Sequence, residues 1–160
     1  MQFTQSMSYP GTVDEVVAMY LTPDYLERRF GRFVVEGSTT VSVEGERVSY
    51  AGTVRPELIP AAATRFVKSD LRVTFTEEWT LNEAEATSRT SVTVDGAPVS
   101  VEATSTLTPS DAGSAREVSG NLSVRVPLLG GRIEKEAVAR VGRLTENEQA
   151  SSAQWLEEHR

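Results

Sequence analysis

Residues 1–9 alternate along the chain: Phe3 and Met7 fall on one face and Thr4, Ser6 and Ser8 on the other, the pattern of a half-buried strand. Pro10-Gly11 interrupts it. Thr12-Val13-Asp14-Glu15 then has the form of a capping box, with Thr12 as N-cap and Glu15 reaching back to it. A short helix is expected from there to about Tyr20, with Val13, Val16, Val17 and Tyr20 on its apolar side. Thr22-Pro23-Asp24 opens a second helix, since proline is accommodated at the first helical position. Tyr25, Leu26 and Phe30 give that helix an apolar side, and Gly31 ends it.

From residue 32 to 126 the period is two almost throughout. Phe33 and Val35 open the sheet, Val41 and Val43 continue it, and Gly45 turns it. Val48, Tyr50, Gly52 and Val54 share one parity in the next strand. Pro56 to Ala63 is too rich in Pro and Ala to pair and reads as a loop. Residues 71–81 form the longest strand, with Leu71, Val73, Phe75, Trp79 and Leu81 on one face. Thr90, Val92 and Val94 lead to Asp95-Gly96, a hairpin signal, and Val99, Val101, Ala103 and Leu107 return. Ser110-Asp111-Ala112-Gly113 turns again before Val118, Leu122, Val124 and Val126. Such short turns join antiparallel neighbours, so the sheet is expected to be a meander. Pro127 ends it and Gly130-Gly131 permits a change of direction. A last helix, from about Leu129 to Leu156 and roughly 40 Å long, carries Ile133, Ala137, Val141, Leu144 and Trp155 on one stripe. With 160 residues and no internal repeat, the chain reads as one domain spanning 1–160.

Composition narrows the function classes. A hydrophobic content of 39% and a charged content of 24% fit a soluble globular protein. No stretch approaches the roughly 18 to 20 apolar residues of a membrane span, and the start lacks the basic region and apolar run of a secretory signal. Without cysteine there is no disulfide, thiolate nucleophile or cysteine metal site. A cytoplasmic protein is expected. The net charge of −7 repels a phosphate backbone, so no nucleic-acid partner is expected. The densest basic spot, Arg28-Arg29 with Arg32, reads as a solvated helix end. His159 is the only histidine and lies in a terminal segment expected to fray, which sets aside Ser-His-Asp catalysis and typical zinc sites. The usual nucleotide-binding glycine loops are absent, and no cofactor or metal is expected.

The order of one strand, two short helices, a six-strand meander and a long helix resembles the helix-grip fold of the START-like (SRPBCC, polyketide cyclase-like) superfamily. Two segments carry the likeness: Val126-Pro127-Leu128-Leu129-Gly130-Gly131-Arg132-Ile133-Glu134 at the strand-to-helix junction, and Met7-Ser8-Tyr9-Pro10-Gly11-Thr12-Val13-Asp14-Glu15-Val16 where the first strand enters the first helix. Within the superfamily the chain most resembles an actinobacterial family of unknown function. The resemblance implies an α+β fold: a curved antiparallel sheet of about seven strands wrapped on a long C-terminal helix, with two short helices between strands 1 and 2. It also implies a pocket between sheet and helix. Superfamily members bind lipids, steroids, polyketides or plant hormones, and some catalyse ring closure or aromatisation, so fold alone does not select among them.

If the apolar parity points inward, polar residues of the same parity are the candidates for chemistry. Glu77 lies between Phe75 and Trp79 on the inward side of the longest strand. A buried, unpaired carboxylate costs several kcal/mol or stays neutral with a raised pKa, which suits a general acid or base or a ligand-holding group. The other reading turns Glu77 to the rim through a bulge or twist, or pairs it with Arg89 or Arg65. Gln5, Thr90 and Ser105 share the inward parity; each is placed either to bond a ligand or to be satisfied by backbone and water. Tyr50 either lines the cavity and orients a ligand with its hydroxyl or is plain core. Phe75 and Trp79 on the sheet, with Val141 and Leu144 on the helix, complete the candidate wall. Glu148 and Ser151 break the helical stripe, which reads as a wet face beyond the sheet, with Glu148 at the cavity mouth as the alternative. Trp155 anchors the helix end.

Three functions stay open at this point. The first is carriage or sensing of a small hydrophobic ligand, lipid- or polyketide-like, in a pocket of roughly 300 to 1,000 Å³. The second is a cyclase or aromatase-like enzyme with Glu77 as acid or base and Tyr50 orienting. The third is a protein-interaction module with a filled core, using Leu58 and Ile59 of the Pro56–Ala63 loop as an apolar surface; in grip folds such a loop also serves as a pocket lid.

Overall fold

The computed structural model of the protein describes residues 1–67 and 69–160. Strand β1 (Gln2–Tyr9) leads into helices α1 (Val13–Tyr20) and α2 (Pro23–Phe30), the latter continuing through one 3-10 turn at Gly31–Phe33. Strands β2 (Thr40–Glu44) and β3 (Arg47–Thr53) follow, then the short helix α3 (Ala61–Thr64). Strands β4 (Arg72–Leu81), β5 (Ala86–Asp95), β6 (Val99–Ser110) and β7 (Gly113–Val124) precede the closing helix α4 (Gly130–Glu158). Among the described residues there is one seven-stranded sheet, in the order β1-β7-β6-β5-β4-β3-β2. Every pairing in it is antiparallel. The meander is therefore completed by β1, which closes on the last strand rather than on its nearest neighbour in sequence.

The α1 capping box forms as its residues require: Glu15 N–H donates to the Thr12 hydroxyl at 3.2 Å and Thr12 N–H to the Glu15 carboxylate at 2.9 Å. Pro23 occupies the first turn of α2. Two expectations shift. Phe33 and Val35 do not open the sheet; Phe33 closes the 3-10 turn and only Val34 bridges, to Val54. Gly31 keeps a right-handed helical conformation, so the chain winds one turn further before it extends. The Pro56–Ala63 loop stays out of the sheet but contains helical turns at Pro56–Leu58 and from Ala61.

The inward parity selects Phe3, Gln5, Met7 and Tyr9 on β1 and Val73, Phe75, Glu77 and Trp79 on β4, with the face of α4 packed over β1 and β7. Two apolar clusters fill the ends of the grip. One gathers Tyr9, Tyr20, Tyr25, Trp79, Leu107 and Trp155 under α1; the other gathers Leu26, Val34, Val48, Tyr50 and Phe75 under α2. Gly120 on β7 lets Phe3 approach across the pair: a Cβ there would stand 2.4 Å from Phe3 Cζ. That contact fixes the Phe3 ring beside the space left between the clusters. Among the described residues no helix is long and apolar enough to cross a membrane.

Candidate functional site

The sheet brings a polar cluster into its own concave face. Glu77 on β4 stands opposite Thr90 on β5, and Ser88 on β5 opposite Ser105 on β6. Arg116 on β7 has inward parity and reaches diagonally across β6 and β5, past the small side chains of Ser105 and Ser88 and not over its direct neighbour Leu107. Its Nε donates to Ser105 Oγ at 3.0 Å, and its Nη2 to Ser88 Oγ at 3.2 Å and to Glu77 Oε2 at 2.8 Å. Glu77 also accepts from Thr90 Oγ1 at 2.8 Å and Trp79 Nε1 at 3.1 Å. Both charges are buried, at 1% and 3% side-chain exposure. The guanidinium lies 4.8 Å from the Trp79 ring centre and 4.9 Å from that of Tyr20, positions suited to a cation–π contact.

Burial by itself raises the Glu77 pKa, but Arg116, then Arg29 and the hydrogen bonds from Thr90 and Arg116, bring it below the ordinary carboxylate value. The raised pKa required of a general acid is thus reversed, and the partner is Arg116, not Arg89 or Arg65. Arg89 pairs across to Glu78 in the sheet register and so has the opposite parity. Burial also pushes the Tyr9 and Tyr20 hydroxyls up. These groups hold fixed charges and hydrogen bonds across neutral pH; they do not exchange protons there. Because the folded pKa lies below the unfolded one, near 4.3, the Glu77 contribution is fully present above that value and is lost as pH falls through the folded pKa. Urea midpoints measured from pH 7 to pH 3 should fall more steeply for the wild type than for Glu77→Gln. Equal slopes would remove this account; the exposed Glu15 and half-buried Glu134, also lowered, contribute equally to both proteins.

A second pair lies between α2 and α4. Arg29 Nε meets Glu148 Oε1, with the two side chains 15% and 16% exposed. The Arg29 guanidinium sits 5.0, 4.7 and 5.1 Å from the ring centres of Tyr20, Phe30 and Phe75. Tyr20 reaches Glu148 only at 3.5 Å, while its oxygen is 2.7 Å from that of Tyr9. The Arg28–Arg32 spot is not a wholly solvated helix end, because Arg29 turns inward. The α4 face at Glu148 is not simply wet, because α2 covers it. His159 is exposed beyond the helix end, with its ring stacked on Trp155 at 3.8 Å, and Trp155 itself is buried against Tyr25.

Between the sheet and α4 a cavity of about 180 Å³ remains, walled by Phe3, Met7, Val101, Ala103, Val118 and Val141 with Glu77, Thr90 and Arg116 at its polar end. Gln5, Glu77, Thr90, Val141 and Leu144 all belong to its lining. Tyr50, Phe75, Trp79 and Ser105 stand outside it. Tyr50 donates to Glu27 Oε2 at 3.1 Å and packs with Phe30 and Phe75 in the cluster under α2. Ser105 is taken up by Ser88 and Arg116. The cavity is smaller than the roughly 300 to 1,000 Å³ of typical ligand pockets, because large aromatic rings fill the α1 end. A further space of about 210 Å³ opens between α2 and α4, sharing Arg29, Leu144 and Glu148 with the first. Sequence reasoning missed Arg116, Ser88 and Arg29. The parity of Arg116 matches Val118 and Leu122, and that of Ser88 matches Thr90, so the same rule that found Glu77 applied to both.

The protein family described as "Protein of unknown function (DUF2505)" matches residues 4–156. An uncharacterised protein of Mycobacterium tuberculosis is 28% identical over 166 residues, covering 96% of this chain and 95% of that protein. Among solved structures, Ara h 8.0201 superposes with a TM-score of 0.60 at 11% identity, covering 99% of this chain and 98% of that one. A conserved protein from Geobacillus kaustophilus superposes with a TM-score of 0.58 at 16% identity, covering 99% and 96%. At such identities the likeness carries the fold, the helix-grip α+β arrangement, and nothing further.

Proposed function

We propose that this chain, which belongs to the DUF2505 family, binds a small hydrophobic molecule, lipid- or polyketide-like, between its sheet and its C-terminal helix. The observation that carries this reading is the cavity of about 180 Å³ whose side walls are Phe3, Met7, Val101, Ala103, Val118 and Val141. A pocket with apolar walls and a few convergent polar groups is the usual form of a small-molecule site. Glu77, Thr90 and Gln5 are the polar candidates within it, and Val141 and Leu144 the helical wall. The cyclase-like alternative loses its proton donor, since Glu77 is held ionised by Arg116.

A second reading, a protein-interaction module, draws on Leu58 and Phe66, exposed at 42% and 43% in the segment between β3 and β4. Native mass spectrometry on freshly purified protein, before and after solvent extraction, separates the two. A bound mass that extraction removes is expected, and Ala103→Phe, which fills the cavity, should purify without it. A clean apo mass that stays unchanged after incubation with decan-1-ol would overturn the carrier reading and favour the interaction module.

A further inference from the structure

Helix α2 carries two buried hydrogen-bonding groups with no partner among the described residues, the Tyr25 hydroxyl and Arg29 Nη1. They are four residues apart, hence neighbours on one face of the helix. Both residues line the space of about 210 Å³ between α2 and α4. Ser152 donates to Gln149 O at 3.0 Å, and its oxygen lies beside the Tyr25 hydroxyl only as a weak, poorly aligned acceptor. Buried donors without acceptors are costly, the more so on a cation. Glu77 is engaged by Trp79, Thr90 and Arg116, and Glu148 meets Arg29 through its Nε and not its Nη1.

The charge around this space has one sign in excess. Arg28, Arg29 and Arg32 line it; Arg29 pairs with Glu148 and Arg28 with Glu158, which leaves Arg32 as the cation in excess among the described residues, although the whole chain carries −7. Its remaining walls include Phe30, Phe33 and Leu144. Arg29, Leu144 and Glu148 also belong to the wall of the cavity under the sheet, so one ion pair and one leucine form the partition between the two spaces. Joined, the two reach the lower part of the roughly 300 to 1,000 Å³ range of small-molecule pockets.

We propose that the two spaces form one site for an amphipathic carboxylate, its head accepting hydrogen bonds from Tyr25 and Arg29 and its apolar chain passing Leu144 to lie under the sheet. The planar guanidinium fork is matched to a carboxylate. A cationic head would meet Arg32, unpaired among the described residues, and bring no acceptor to Arg29 Nη1 or Tyr25, and a neutral hydroxyl would be a weaker acceptor there than a carboxylate. This inference rests on the hydrophobic-ligand reading and adds the chemistry of the head group and the route past the partition.

The test uses the full chain and three probes with one tail: decanoate, decan-1-ol and decyltrimethylammonium, titrated at pH 7 and low salt by calorimetry. Wild type should bind decanoate about tenfold or more tighter than decan-1-ol, as a charge-assisted contact requires. Arg29→Met should abolish that preference, so that decanoate binds no tighter than decan-1-ol. Tyr25→Phe keeps the ring and should reduce the preference by about threefold or more; it decides the matter alone if Arg29→Met fails to fold. Equal affinity for decanoate and decan-1-ol, tighter binding of the ammonium, or a preference untouched by the variants would overturn the carboxylate site and leave the hydrophobic-ligand reading standing. Binding of none of the three would overturn both.

Discussion

Arg116→Met is expected to lower the unfolding free energy by about 3 to 5 kcal/mol, the usual consequence of removing one partner from a buried ion pair. The cost arises less from the lost attraction than from what is left behind. Glu77, 1% exposed, would keep only Thr90 and Trp79 as donors, and Ser88 and Ser105 would lose their shared cation. Glu77→Leu should cost a similar amount for the converse reason, leaving the guanidinium unpaired. The double variant Glu77→Leu/Arg116→Met should recover most of either loss, because two apolar side chains need no partner. Urea unfolding of the four proteins at neutral pH measures this directly. A single variant within about 1 kcal/mol of wild type, in the range of an exposed pair, would mean that water already solvates the pair.

Trp79→Ala is the second large effect, about 3 to 5 kcal/mol from the same measurement, the range for truncating a buried aromatic ring. The ring stacks on Tyr20 at 5.7 Å with planes 20° apart, lies beneath the Arg116 guanidinium, and donates to Glu77. Its removal opens the aromatic fill at the α1 end and strips the ion pair of a neighbour at once. Trp79→Phe should keep much of the packing and lose the hydrogen bond to a charged acceptor, about 1.5 to 3 kcal/mol. An alanine variant no less stable than the phenylalanine one would show that the ring adds nothing beyond its N–H. The two predictions share neighbours, so their losses should not add.

How much of this was legible beforehand depends on the range of the interaction concerned. The capping box at Thr12 and Glu15, the proline start of α2, the two-residue period of β4 and the length of α4 are local, and each forms where its residues require. Glu77 was visible for the same reason: its parity puts it between Phe75 and Trp79 on the concave face. Its partner was not visible, because Arg116 is 39 residues away and arrives only when β7 takes its place three strands from β4. The opening turn after α2 also escaped, since Gly31 permits a sharp exit without requiring one.

The sequence by itself determined most of the elements, their order and most of the side chains that face inward, because capping, turn chemistry and side-chain alternation act over a few residues. The tertiary structure alone decided what those inward groups do. Antiparallel register converted Glu77 from a candidate acid into an ionised carboxylate held by Arg116, with Ser88 and Ser105 giving the guanidinium its passage. The packing of α2 against α4 turned Arg29 and Glu148 from apparent surface charges into a partition between two cavities. Charge state and cavity shape are set by whichever groups come within a few ångströms across the fold, and that proximity is written only in the assembled chain.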